Sequence, residues 1–162
     1  MALVFLIILT IMGLAAMGTT SLEEKMAGNT KDRNLAFQAA ETGLLAGESW
    51  INAQINKPVF PNNATGLYLP STTTTPVWND TGLLDWSGNS NLMVYSGGLQ
   101  KVATQPKYII ADLGEVPEVG GSKVLPGAYK GKGNTVVRVT ARGTGGTDAA
   151  QAMVQSTYSR AF

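Results

Sequence analysis

The dominant pattern in the chain is an apolar run at its start. Residues 1–17, MALVFLIILTIMGLAAM, are interrupted only by Thr10, and the first charge is Glu23. A helix rises about 1.5 Å per residue, so 17 residues cover roughly 26 Å. A bilayer core is roughly 30 Å thick and is matched by about 20 residues. The uncharged residues 18–22 extend the run towards that length. The pattern predicts a transmembrane or filament-core helix over residues 1–22. Thr10 fits inside it, because its hydroxyl can bond a preceding carbonyl. Gly13 loosens the helix or admits a close neighbour.

Two plainer readings compete. One is a cleaved secretory peptide ending near LAAMG, but such peptides carry a basic n-region and nothing basic precedes Lys25. The other is the core helix of a soluble protein, which a chain of 162 residues has little interior to hide. The missing basic flank also leaves the membrane orientation unreadable. A start lost upstream of Met1 would account for both the short span and the absent flank.

Residues 23–57 continue the pattern as an amphipathic rod. Proline is absent until Pro58, and alanine, leucine, glutamate, glutamine and lysine are frequent. Leu22, Met26, Phe37, Ala40, Leu44, Ile51 and Ile55 recur at close to helical spacing. Of these, Phe37, Ala40, Leu44, Ile51 and Ile55 are expected as the seam between helix and sheet, with Trp50 beside them. Glu23, Glu24, Lys25, Lys31, Asp32 and Arg33 form a charged collar beyond the apolar segment, for solvation at a membrane surface or for subunit pairing. Gly28, Asn29 and Thr30 are the weak point. Their low helix propensity predicts a kink or melted turn, or alternatively a stop at Asn29 with a new start at Thr30. Pro58 and Pro61 end the rod.

Residues 58–162 predict a glycine-rich β domain. Residues 58–106 have little periodicity, and residues 71–76 read as a polar loop or edge segment. Trp78, Leu83, Leu84 and Trp86 are spaced as plugs over one sheet face, with a carbohydrate-stacking or partner-binding patch as the alternative. Residues 91–95 are a short strand candidate, and residues 107–113 a better one. Residues 115–134 form a glycine- and proline-containing loop without phosphate-loop spacing. In residues 135–141, Val137, Val139 and Ala141 alternate with Arg138 and Thr140. After a glycine-rich turn, Ala152, Val154 and Tyr158 lie opposite Gln151, Gln155 and Thr157. The two segments predict an antiparallel hairpin over about 135–161. Arg138 and Arg142 are expected to meet solvent or a carboxylate rather than a ligand. The fold class is therefore α+β: one long helix, apolar then amphipathic, packed on a small antiparallel sheet.

Composition narrows the chemistry. Twelve basic and eleven acidic residues give a charge of +1, which makes no electrostatic case for nucleic acid. The absence of histidine removes imidazole catalysis and histidine metal ligation. There is no cysteine to staple the domain. No cofactor or metal motif stands out. A membrane-tethered enzyme would need a serine, lysine or paired-carboxylate site, and the sequence displays none.

Residues 22–29 (LEEKMAGN) followed by residues 32–41 (DRNLAFQAAE) resemble the N-terminal helix signature of PilX-type minor pilins of type IV pili. The VTARGTGG turn and the QSTY strand are similar to that family's closing hairpin. The resemblance covers about half the chain, and residues 58–106 carry no matching motif. It implies a type IV pilin fold and a non-enzymatic subunit that primes pilus assembly. It places the subunit at or near the tip of a fibre serving twitching motility and adhesion. It implies a leader removed by prepilin peptidase, with N-methylation of the new terminus. It also implies anchorage in the bacterial inner membrane with the β domain in the periplasm, followed by transfer to an extracellular pilus. The implied partners are other minor pilins, the major pilin, a tip adhesin, the inner-membrane assembly platform and membrane lipid. The principal subunit of a pilus or of a secretion pseudopilus is the alternative.

Two departures from that pattern are visible. No leader precedes Met1, and the alignment of the apolar run implies that about four mature residues are also missing. Most pilins carry a glutamate as the fifth mature residue, paired with a neighbour's amino terminus. Phe5 stands there by this chain's count, or Met1 if four residues are absent, and neither is acidic. An unpaired carboxylate in an apolar bundle is costly, so its absence favours a minor or tip-proximal subunit. Packing within the helical core is expected from Met1, Phe5, Ile8, Gly13, Ala15, Ala16 and Gly18, with the small residues admitting close approach.

Overall fold

The computed structural model describes residues 1–61, 65–70, 75–116 and 133–162, without the side chains of Ala15 and Ala16. Helix α1 runs Ala2–Ala53 as one element of 52 residues, or roughly 78 Å at the standard rise. It is helical through Gly28, Asn29 and Thr30, so there is no stop at Asn29. The Thr30 hydroxyl donates to the Met26 carbonyl at 2.8 Å, which keeps this β-branched side chain satisfied inside the helix. Thr10 does the same to Ile7 at 2.8 Å.

The rod stops earlier than the proline at 58 requires. Residues past Ala53 are not helical, and the Ile51 carbonyl accepts from the Gln54 amide and from the Arg160 guanidinium. In a continuing helix that carbonyl would take the amide of residue 55. Arg160 therefore replaces the next helical bond, and a cation suits this negative helix end. Ile55 consequently lies beyond the helix and is 88 % exposed, so it is not part of the helix–sheet core.

Among the described residues five strands form one sheet: β1 (Leu67–Tyr68), β2 (Met93–Val94), β3 (Lys107–Val116), β4 (Asn134–Thr144) and β5 (Gln151–Arg160). Their order is β1-β3-β4-β5, and β2 also pairs with β3. β3, β4 and β5 are antiparallel neighbours, with Val139 opposite Ile110 on one side and Ser156 on the other. β1 runs parallel to β3, pairing Leu67 with Ile110. The sheet is thus mixed rather than purely antiparallel. Two residues carry too little periodicity to predict β1, and only the pairing with β3 makes it a strand. The polar segment 71–74 and most of the loop expected over 115–134 lie outside the described residues.

The sheet has two buried faces. On one, Ile51 of α1 packs with Tyr108, Ile110, Val137, Val139 and Ala141. On the other, Ile109 and Ala111 pack under Tyr68, Val77, Leu84 and Leu92, with Trp78 and Trp86 against the cluster. β3 is buried continuously over its first six residues because it is covered on both sides. β5 alternates half-buried and exposed because only its helix face is covered. A register shift between Asp112 and Gly114 marks a bulge, where Gly114 adopts φ +102°, a conformation open chiefly to glycine. Lys57 ties the chain after α1 to this bulge, at 3.0 Å from Asp112 and 3.4 Å from Glu115.

Arg138 and Arg142 project to the face away from α1 and are half-buried there, and among the described residues neither forms an ion pair. The Arg138 guanidinium lies 5.1 Å from the centroid of the Trp78 ring, and that of Arg142 lies 6.0 Å from Trp86. The loop that covers this face brings both indoles there, which the strand pattern alone does not reveal.

Candidate functional site: the apolar arm and its seat

The candidate site is the part of α1 that the sheet does not cover. Every residue with a described side chain from Met1 to Lys31 is exposed, and none belongs to either core cluster. Its apolar window has a mean hydropathy of 2.4 and no buried share. Met1, Phe5 and Ile8 point outward among the large exposed hydrophobics. A Cβ added at Gly13 or Gly18 would meet nothing within 4 Å, so both backbones are open to a neighbour. The side chains of Ala15 and Ala16 lie outside the described residues. At roughly 1.5 Å per residue the arm reaches on the order of 45 Å. So large an apolar surface on a small chain marks a lipid or protein contact.

From Asp32 onward the helix is seated on the sheet. Ala36, Ala39, Ala40 and Ile51 are buried, and Leu44, Ala46 and Trp50 are half-buried against the core. Phe37 departs from the expected seam, being 48 % exposed. It lies at the edge of the buried stripe, where the small side chains of Ala36 and Ala40 meet the hairpin instead. Small residues are what make the seat close. A Cβ on Gly143 would overlap the helix backbone at Ala36, Ala39 and Ala40, and one on Gly47 would overlap Val139. Further along, the Ser156 hydroxyl donates to Glu48 at 2.6 Å.

The charged collar divides. Glu23, Glu24, Lys25, Lys31 and Arg33 are exposed, and among the described residues none of them forms an ion pair. Asp32 is held instead by the hairpin turn. Its carboxylate accepts the Gly146 amide, the Thr147 amide at 3.4 Å and the Thr147 hydroxyl at 2.6 Å. The bond from the Thr147 side chain is the main cause that holds its pKa below the ordinary aspartate value; desolvation opposes it. Asp32 is therefore the point where free arm becomes seated helix. Sequence reasoning placed it in the collar because its partners lie 114 and 115 residues away. Arg160, Gly47 and Gly143 were missed for the same reason, although the glycine-rich turn at 143–146 hinted at close packing.

Among the described residues no group of three or more potential metal ligands comes together. The arrangement offers a solvent-exposed helical rod, uncharged through residue 22, whose far end is locked to a two-faced sheet. No curated protein and no solved structure matches the chain. Two family models do: PilX N-terminal over residues 1–45, and type IV pilus assembly protein PilX C-terminal over residues 28–160. Together they span both the arm and the sheet that seats it, and the chain belongs to the PilX family of type IV pilus assembly proteins, as a PilX-type minor pilin with the type IV pilin fold.

Proposed function

We propose that the protein is a non-enzymatic minor pilin that helps prime assembly of a type IV pilus and enters the fibre at or near its tip, in support of motility and adhesion. The observation that carries this reading is the exposed arm, uncharged through residue 22 and continuous with a helix locked to the sheet. Such an arm can sit in the inner membrane as a single pass with the β domain in the periplasm. It can then exchange lipid for the flanks of related helices at little hydrophobic cost, since both surroundings are apolar. Association in that setting rests on close packing, for which Gly13 and Gly18 leave room. The partners in this scheme are other minor pilins, the major pilin and a tip adhesin. The inner-membrane assembly platform and prepilin peptidase act earlier, and the final location is the extracellular pilus.

The test is a count of copies in sheared, purified fibres, by quantitative mass spectrometry with an intact mass of the recovered chain. A minor pilin is expected at a few copies per fibre, with a processed and methylated terminus. Recovery in the same amount as the bulk subunit would make it the principal subunit instead, and absence from the fibre would reject both.

A further inference from the structure

The face of the sheet away from α1 carries a recess at the hairpin end, about 210 Å³ in volume. Trp86, Thr104, Lys107, Arg142, Asp148 and Gln151 are among the residues that line it. Pockets for drug-sized ligands run to roughly 300–1,000 Å³, so this one accepts about a single ring.

Its lining is mixed in charge, with Lys107 and Arg142 cationic and Asp148 anionic. Lys107 is only 4 % exposed, and its ammonium donates to the carbonyls of Trp86, Ser87 and Gly88 at 2.9, 3.2 and 2.6 Å. Those dipoles satisfy its protons, but among the described residues no carboxylate lies within ion-pair distance of it. Arg142 sits directly opposite Lys107 in the β3–β4 register. Its guanidinium rests over Trp86 and, among the described residues, has no hydrogen-bond acceptor. Burial, with Arg142 nearby, pushes the Lys107 ammonium below the ordinary lysine pKa, while Asp85 and Asp148 act in the opposite direction. The Lys107 protons are taken, so it is the Arg142 guanidinium, with donors unused among the described residues, that offers an anion a hydrogen-bonded seat.

The remaining wall is equally specific. The Trp86 indole N–H donates to the Trp78 carbonyl at 3.0 Å, which fixes the ring. The Thr104 hydroxyl donates to Asp148 at 2.7 Å, and the Gln151 amide donates to the Asp148 carbonyl at 2.7 Å. The rim is thus an ordered set of hydroxyl, amide and carboxylate groups around an aromatic wall.

We propose that this recess binds one carboxylated sugar unit of an acidic polysaccharide, with the sugar carboxylate on Arg142 and the ring against Trp86. A uronic acid residue has the required carboxylate, an apolar ring face and hydroxyls that both donate and accept. Asp148 can accept from such hydroxyls, whereas an acidic peptide side chain brings the carboxylate without the hydroxyls or the ring face that would meet Trp86. This favours the sugar over a peptide bearing the same anionic group.

The test uses the full chain in detergent micelles, titrated with trigalacturonate and followed by tryptophan fluorescence. The expected result is saturable binding, with a neutral trisaccharide and a triglutamate peptide each at least about tenfold weaker. Arg142→Gln should weaken trigalacturonate by about tenfold, the scale of a hydrogen bond to a charged group. Arg138→Gln, which alters the equivalent stack on Trp78 outside the recess lining, should bind as the wild type does. Equal binding of the neutral sugar, tighter binding of triglutamate, no saturable response, or an Arg142→Gln variant that binds normally would each overturn the proposal. If Arg142→Gln loses the wild-type near-ultraviolet spectrum, the indole N–H resonances of the wild-type chain decide. A shift at Trp86 with Trp50 unmoved supports the site, and the absence of that selective shift rejects it.

Discussion

Asp32 joins two parts of the molecule through a single group that titrates, its own carboxylate. Only the ionised carboxylate can accept all three bonds from Gly146 and Thr147 without losing an acceptor to its own proton. These bonds depress its pKa in the folded chain, with the Thr147 side chain as the leading cause. A depressed carboxylate contributes stability above its unfolded pKa, and that contribution fades as the pH falls through the folded value. Asp32→Asn should therefore lower the thermal unfolding midpoint at pH 7. The gap to the wild type should narrow as the pH falls below 3.8, the ordinary aspartate value. Scanning calorimetry of both chains in detergent at pH 7 and at pH 3 checks this, and a gap that widens in acid would contradict the latch. Gly145 belongs to the same contact, since a Cβ there would overlap Asp32. Nothing in the local run around Asp32 announces this role, because residue identity along a helix does not reveal a turn more than a hundred positions later.

At the scale of elements, the periodic segments were the legible ones. The long helix, the β4–β5 hairpin and β3 follow from spacing alone, and the alternation of Ala152, Val154 and Tyr158 matches the half-buried face of β5. What spacing could not supply was set by distant partners. Arg160 ends α1 before Pro58 and leaves Ile55 in solvent, β1 exists only through β3, and the indoles of Trp78 and Trp86 capture the two arginines. The arm itself was legible because, among the described residues, none of its side chains joins either core cluster, so nothing there contradicts a local reading. The weak segment at Gly28, Asn29 and Thr30 is a case where local propensity and outcome differ. The chain is helical there, held by flanking turns on both sides and by the Thr30 bond to Met26. Its low intrinsic propensity remains, and glycine costs about 1 kcal/mol relative to alanine in a helix interior. We propose that this segment is the one that melts when the arm enters a fibre. Gly28→Ala should slow amide hydrogen exchange over residues 26–32 by about fivefold, the equivalent of that 1 kcal/mol, and should reduce incorporation into fibres. Slower exchange with unchanged incorporation would show that the local weakness has no part in assembly.

For the whole molecule, the division at Asp32 separates two stabilities. Both core clusters draw only on residues from α1 beyond the arm and on the sheet with its loops. Among the described residues the first 22 contribute nothing to either cluster, yet they hold a long run of exposed large hydrophobics from Met1 to Leu22. Burial of apolar area is worth roughly 25 cal/mol per Å², so in water this arm will be buried against lipid, detergent or other copies. The seated part of α1 keeps its packing either way, because Gly143, Gly47 and Asp32 act below the arm. Removal of residues 1–22 should therefore leave the unfolding free energy within about 0.5 kcal/mol of the full chain, the usual range for changes away from packed features. It should also convert a detergent-requiring protein into a monomer in plain buffer. Urea unfolding and sedimentation velocity measure the two outcomes separately. A large loss of stability would mean that the arm helps to hold the sheet, and persistent association without it would place a second apolar contact on the sheet itself. Only the pairing of unchanged stability with lost association fits a body that folds by itself and an arm that exists to join it to others.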